Sequence, residues 1–131
     1  MDCPVCKKAM IVLELDQVEI DHCTSCSGIW LDDGELELLL EDAEEKRRVL
    51  STLHVDSTVK EKSRRCPKCS KKMNKVFIGN NNEVLVDSCK KQHGIWFDNG
   101  ELHDVIKLAS IDRENKILKL LNEMFRYNLS R

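Results

Sequence analysis

Cys3, Cys6, Cys23 and Cys26 form two Cys-x-x-Cys pairs with sixteen residues between them, and most of that pattern returns at Cys66, Cys69 and Cys89. A tetrahedral zinc ion needs four soft ligands converging from two directions, and two tight turns on facing hairpins supply them two at a time. Cys3, Cys6, Cys23 and Cys26 therefore read as a structural zinc site with all four positions filled by protein. In the second set the residue matching Cys26 is Gln92, a poor zinc ligand. His93, one residue on, restores three cysteines and a histidine if the turn admits one extra residue. The fourth position is thus His93, Gln92 or water, and water would make catalysis or sensing conceivable. Zinc is preferred to redox use of the dithiols, because a redox motif needs one Cys-x-x-Cys rather than pairs set in a duplicated frame.

The elements that must position these residues come as a tandem repeat. Cys3, Pro4, Cys6, Lys8 and Met10 match Cys66, Pro67, Cys69, Lys71 and Met73 at an offset of 63. Asp21, Cys23, Gly28, Ile29, Trp30, Asp32, Gly34, Glu35 and Leu36 match Asp87, Cys89, Gly94, Ile95, Trp96, Asp98, Gly100, Glu101 and Leu102 at an offset of 66. The three extra residues fall in Gly79-Asn80-Asn81-Asn82, a hairpin loop between Val76–Ile78 and Val84–Val86, and leave the metal turns alone. In the first copy, alternation through Ile11, Leu13 and Leu15, a turn near Asp16-Gln17 and a return through Val18 and Ile20 predict the other hairpin.

After each second metal turn, Asp32-x-x-Glu35 and Asp98-x-x-Glu101 are helix-start signals, with the aspartate as N-cap and the glutamate reaching back. That local backbone role argues against a general acid and base. Apolar spacing from Leu36 through Leu40, Ala43 and Leu50 predicts one long first helix ending near Leu53. The second repeat's helix is expected over roughly 99–108, and a final one carries Ile117, Leu120, Leu121 and Met124, capped by Ser110 or Asp112. The expected fold is small α+β: two metal-bearing β-hairpin units, each followed by an α-helix, plus a C-terminal helix. The units are 1–53, a linker at 54–63, and 64–131. The final helix is expected to pack on the first long helix, or to form a homodimer interface. Trp30 and Trp96 should each cover a metal turn and pin helix to hairpin. His22, His54 and His103 lack ligand spacing and read as surface or helix residues.

A repeat of about 40 residues is too small to hold a core without a metal or disulfides. Seven cysteines without an apolar run long enough for a signal peptide or membrane span point to a reducing cytoplasm and zinc thiolates, and away from disulfides. The net charge of −2 conceals two opposed halves. Residues 1–45 carry two lysines against thirteen carboxylates, a net of −11, and residues 46–131 carry nineteen basic residues against ten acidic, a net of +9. Such a chain is not a general polyanion binder.

The run from Cys23 to Leu36, Cys-x-x-Cys-x-Gly-Ile-Trp-Leu-Asp-x-Gly-Glu-Leu, with the preceding Cys-Pro-x-Cys, resembles the TFIIB-type zinc-finger family of small zinc ribbons. The resemblance covers about 3–40 and 66–106. It implies zinc at Cys3, Cys6, Cys23 and Cys26, and departs from the family pattern at Gln92. Two zinc ions per chain are expected. The family name implies transcription, but zinc ribbons serve many functions. The expected function is a non-enzymatic zinc-binding adaptor meeting a macromolecular partner, a protein or a second copy. The alternative is a nucleic-acid-binding or transcription-associated protein using Arg64, Arg65, Lys68, Lys71, Lys72, Lys75, Lys90 and Lys91, and a redox or zinc sensor ranks below both.

Overall fold

The computed structural model describes residues 1–40, 42–109 and 116–125. Strands β1 (Ile11–Leu15) and β2 (Val18–His22) form the first hairpin, and Asp16 and Gln17 both take the left-handed backbone (φ 49° and 69°) that a two-residue hairpin turn needs. Strand β3 (Ile29–Asp32) follows the second metal turn. Then come α1 (Glu35–Leu39), α2 (Ala43–Leu50), the short β4 (His54–Val55), the second hairpin β5 (Asn74–Ile78) and β6 (Val84–Ser88), β7 (Gly94–Phe97), α3 (Glu101–Ala109) and α4 (Lys116–Phe125).

All seven strands belong to one antiparallel sheet, ordered β1-β2-β3-β7-β6-β5-β4. Its centre is the pairing of β3 with β7, in register Ile29↔Phe97, Trp30↔Trp96 and Leu31↔Ile95. Trp30 and Trp96 are repeat equivalents, so the two halves meet about a local two-fold axis passing between the tryptophans. The sheet separates two apolar clusters. Helices cover one face over Leu15, Ile20, Ile29, Leu31, Ile78, Val86 and Phe97. On the other face the cysteines gather with Met10, Met73, Trp30 and Trp96.

Three expectations change. The predicted long first helix is two helices, because Leu40 leaves the helical conformation (φ −88°, ψ 100°) and Asp42 starts afresh, its carboxylate accepting from the N–H groups of Glu44 (2.9 Å) and Glu45 (3.0 Å). Within the segment expected as linker, His54 and Val55 pair with Phe77 and Val76 and so extend the sheet. The final helix packs chiefly on α3 and β1 rather than on the first helix, with Lys116 paired to Asp16 (2.8 Å) and Phe125 against His22 (ring centroids 4.6 Å apart). It is α2 that meets α3, where Arg48 donates to the Ala109 carbonyl at 3.0 Å. The expected caps Ser110 and Asp112 lie outside the described residues.

Candidate metal centres

Three of the four metal turns are five-residue loops closed on a cysteine carbonyl. The N–H groups of Lys7, Ser27 and Ser70 donate to Cys3, Cys23 and Cys66 at 2.9, 2.9 and 2.8 Å, and each donor is left-handed at φ 63°. Such turns aim backbone N–H groups at sulfur. Val5 and Cys6 donate to Cys3 Sγ at 3.3 and 3.2 Å, Lys68 to Cys66 Sγ and Lys91 to Cys89 Sγ, both at 3.4 Å. Donation of this kind stabilises thiolate and fixes its direction.

The fourth turn differs, and the difference explains the substitution at Gln92. Here the N–H of Gln92 donates to the Cys89 carbonyl (3.0 Å), so the turn closes one residue earlier, and Gln92 takes the left-handed place (φ 61°). No extra residue is admitted. Cys89 N–H still donates to the Gly94 carbonyl (3.1 Å), just as Cys23 N–H does to that of Gly28 (3.0 Å). Early closure places His93, with its longer side chain, where Cys26 stands in the first site. Its Nδ1 lies 3.5 Å from Cys89 Sγ and 3.8 Å from Cys66 Sγ.

The structure thus brings together Cys3, Cys6, Cys23 and Cys26 in one set and Cys66, Cys69, Cys89 and His93 in the other, with the ligand atoms of each set within 4.8 Å of one another. The fit to zinc is close. A tetrahedral ion with Zn–S bonds of about 2.3 Å spaces its sulfurs about 3.8 Å apart, and Cys3–Cys26 and Cys69–Cys89 are each at 3.7 Å. All seven cysteines are free of disulfides. Burial raises the Cys23 thiol, but the Cys26 and Ser25 N–H groups outweigh it and bring it down to about 7. At Cys66 burial prevails over the Cys69 and Lys68 N–H groups and holds the thiol at about 11, so the metal itself must displace that proton. The chain binds two zinc ions, and their chemistry here is to tie strand ends together.

Around the metals the two halves are interlocked. A Cβ at Gly28 would overlap the ring of Trp96, and one at Gly94 would overlap the ring of Trp30 and the Leu31 carbonyl. Each indole therefore covers the glycine after the second metal turn of the opposite repeat, an exchange the sequence reading assigned within one repeat. The motif's Trp-x-Asp spacing completes it: Trp30 Nε1 donates to Asp32 and Trp96 Nε1 to Asp98, both at 2.9 Å.

That hydrogen bond corrects the reading of the aspartates as caps. The cap of α1 is Gly34 (φ 90°), with no side-chain bond. Glu35 and Glu101 do reach back, accepting from the N–H of Asp32 (2.6 Å) and Asp98 (2.7 Å). The Asp32 carboxylate also holds Lys68 of the other repeat at 2.7 Å. Burial, aided by Asp98, raises Glu101 to about 8, and the Asp98 N–H only partly offsets this.

Of the remaining histidines, His22 is buried with Nδ1 3.2 Å from the Gly28 carbonyl, contrary to the surface expectation, while His54 is exposed beside Phe77. Beside the second metal turn, Glu61, Asp87 and Asp98 converge, but Lys75 already occupies the space, 2.7 Å from Asp87 and 3.0 Å from Glu61. Sequence reasoning missed this pair; the signal available was a lysine facing an aspartate inside apolar strands, since charges rarely sit in such strands without a partner.

No helix among the described residues is long and apolar enough to cross a membrane. No curated protein and no solved structure matches the chain. The profile of the transcription factor zinc-finger family matches it twice, over residues 2–42 and 65–108, the two segments that hold the metal turns, the exchanged tryptophans and the glycines beneath them. The chain accordingly belongs to the TFIIB-type transcription-factor zinc-finger family, as a tandem pair of zinc ribbons.

Proposed function

We propose that this protein is a non-enzymatic, cytoplasmic adaptor in which two structural zinc ions rigidify one sheet so that its surfaces can receive a protein partner. The observation that carries this reading is the completeness of the two donor sets, four protein atoms each, which leaves a tetrahedral metal no position for substrate or water. Seven free thiols engaged in this way suit a reducing compartment.

A second reading, nucleic-acid binding, is favoured by the exposed Lys71, Lys72, Lys90 and Lys91 on the second ribbon. Three other basic candidates are already occupied: Lys75 by Asp87 and Glu61, Lys68 by Asp32, and Arg65 by the Ser70 carbonyl. The acidic first half shares the sheet and opposes a polyanion.

Capture of partners on the intact, zinc-loaded chain tests the two readings. A protein partner retained through nuclease treatment and lost on chelation is the expected result. A nanomolar, sequence-selective nucleic-acid complex at physiological salt, abolished by Lys71→Glu with Lys72→Glu, would replace the adaptor with the second reading, because phosphate neutralisation then supplies the affinity.

A further inference from the structure

The two edges of the sheet are treated unequally. At one edge β5 is covered by the chain's own β4: His54 pairs with Phe77, Val55 with Val76, and Asp56 N–H donates to the Lys75 carbonyl at 3.0 Å. At the other edge stands β1, the repeat equivalent of β5, with no strand beyond it among the described residues. Val12 and Glu14 correspond to Lys75 and Phe77, so alternation of the ladder turns their N–H and C=O groups to the open side. Val12 is 60% exposed, although its run, Met10-Ile11-Val12-Leu13, is as apolar as a core strand.

Chemistry beside the open edge specifies what fits there. In the second half the zinc-side face of the edge strand carries Lys75 over Asp87, with Glu61, a few residues beyond β4, completing the cluster. In the first half Val12 replaces that lysine opposite Asp21. Met1, Val12, Asp21, Asp32, Glu35 and Leu38 then line an open groove whose counterpart is filled. Leu38 is 69% exposed. Where the occupied edge sets Lys75 over Asp87 and draws Glu61 from the segment after its covering strand, the open one has no lysine over Asp21; Lys68 holds Asp32, and Asp21 and Glu35 remain beside apolar side chains.

We propose that the outer edge of β1 docks an extended, lysine- or arginine-bearing peptide segment of a protein partner, which adds an antiparallel strand and delivers its cation toward Asp21. This rests on the adaptor reading and names the surface and the partner's chemistry. Main-chain pairing supplies affinity in such strand addition, and side-chain pockets supply specificity. A second copy of this chain is disfavoured as the occupant because β1 would then face the same −11 half of its twin.

The segment that covers β5 provides the probe. A synthetic peptide of residues 52–62 carrying Glu61→Lys is titrated into the zinc-loaded full chain, and amide shifts are followed by NMR. The expected result is saturable shifts concentrated at residues 11–15 and at least tenfold tighter binding than by the same peptide with Glu61 kept. Glu14→Pro removes an outward donor without touching the β2 ladder and should abolish the shifts at unchanged zinc content. Should that variant fail to fold, Val12→Lys reproduces the Lys75–Asp87 arrangement and should erase the tenfold preference. Equal binding of both peptides, shifts confined elsewhere, or concentration-dependent dimerisation through β1 in sedimentation would each overturn the proposal. The adaptor reading would survive any of these if nuclease-resistant partner capture persists and is unaffected by Glu14→Pro.

Discussion

The two ribbons share a motif, a register and a metal, yet they solve the same local problems differently. In the first, four thiols hold zinc, the residue across from the strand aspartate is the exposed Val12, the helix breaks at Leu40, and the outer strand is open. In the second, an imidazole replaces one thiol, Lys75 enters the sheet to meet Asp87, α3 runs unbroken for nine residues, and β4 closes the edge. What both halves keep is what the join requires: the tryptophan, the glycine it covers in the opposite half, and the aspartate that holds its indole. Features at the two-fold axis are constrained by each other, and features away from it have diverged.

If the join is symmetric, Trp30→Ala and Trp96→Ala should cost alike, about 3–5 kcal/mol each as fully buried aromatics, measured by denaturant unfolding with zinc saturating. Gly28→Ala and Gly94→Ala should be comparably damaging because the added methyl has no room beneath the opposing indole. A large effect in one half and a small one in the other would break the comparison. The next effect is one-sided. Lys75→Met leaves Asp87, 1% exposed, without its cation and should cost about 3 kcal/mol, whereas Val12→Met in the equivalent place should change stability by under about 0.5 kcal/mol.

The helix-start glutamates make stability respond to pH. A carboxyl whose folded pKa is raised binds its proton in the native state between the unfolded and folded values. It therefore contributes stability at low pH that is lost as pH rises through that window. For Glu101 the window runs from its ordinary 4.5 to about 8; Glu35 is raised by burial in the same direction. Glu101→Gln keeps an acceptor for the Asp98 N–H and removes the ionisation. Relative to the parent it should gain roughly 1–2 kcal/mol between pH 6 and pH 9, at about 1.4 kcal/mol per pK unit with allowance for partial exposure. A flat difference between those pH values would place Glu101 in solvent. The smallest effect is confined to the first half, where Asp42→Ala removes the cap of α2 and should cost about 1 kcal/mol with no change in zinc content.

Much of this was legible because it is local. Cysteine spacing, the offset of 63 and then 66, the Asp16-Gln17 turn and the apolar face of the last helix are each set within a few residues. The pairing of β3 with β7 was not, since Ile29–Asp32 and Gly94–Phe97 are four-residue strands joined across about 66 residues, and nothing nearby distinguishes them from an approach to the helix. For the same reason the indoles were assigned to their own repeat. The break at Leu40 did have a signal, Asp42-x-x-Glu45, which an apolar spacing that runs through it conceals. The register of His93 was half legible: the residue type was apparent, but the early closure at Gln92 depends on backbone that the side chains do not announce.

Metal stoichiometry of the intact chain, read by native mass spectrometry beside single-site variants, tests the duplicated centre most directly. The parent and Gln92→Ala should each carry two zinc ions, and His93→Ala should hold the first firmly and lose the second under mild chelation. One zinc in the parent with the second half still folded, or two equally tight ions in His93→Ala, would contradict the account.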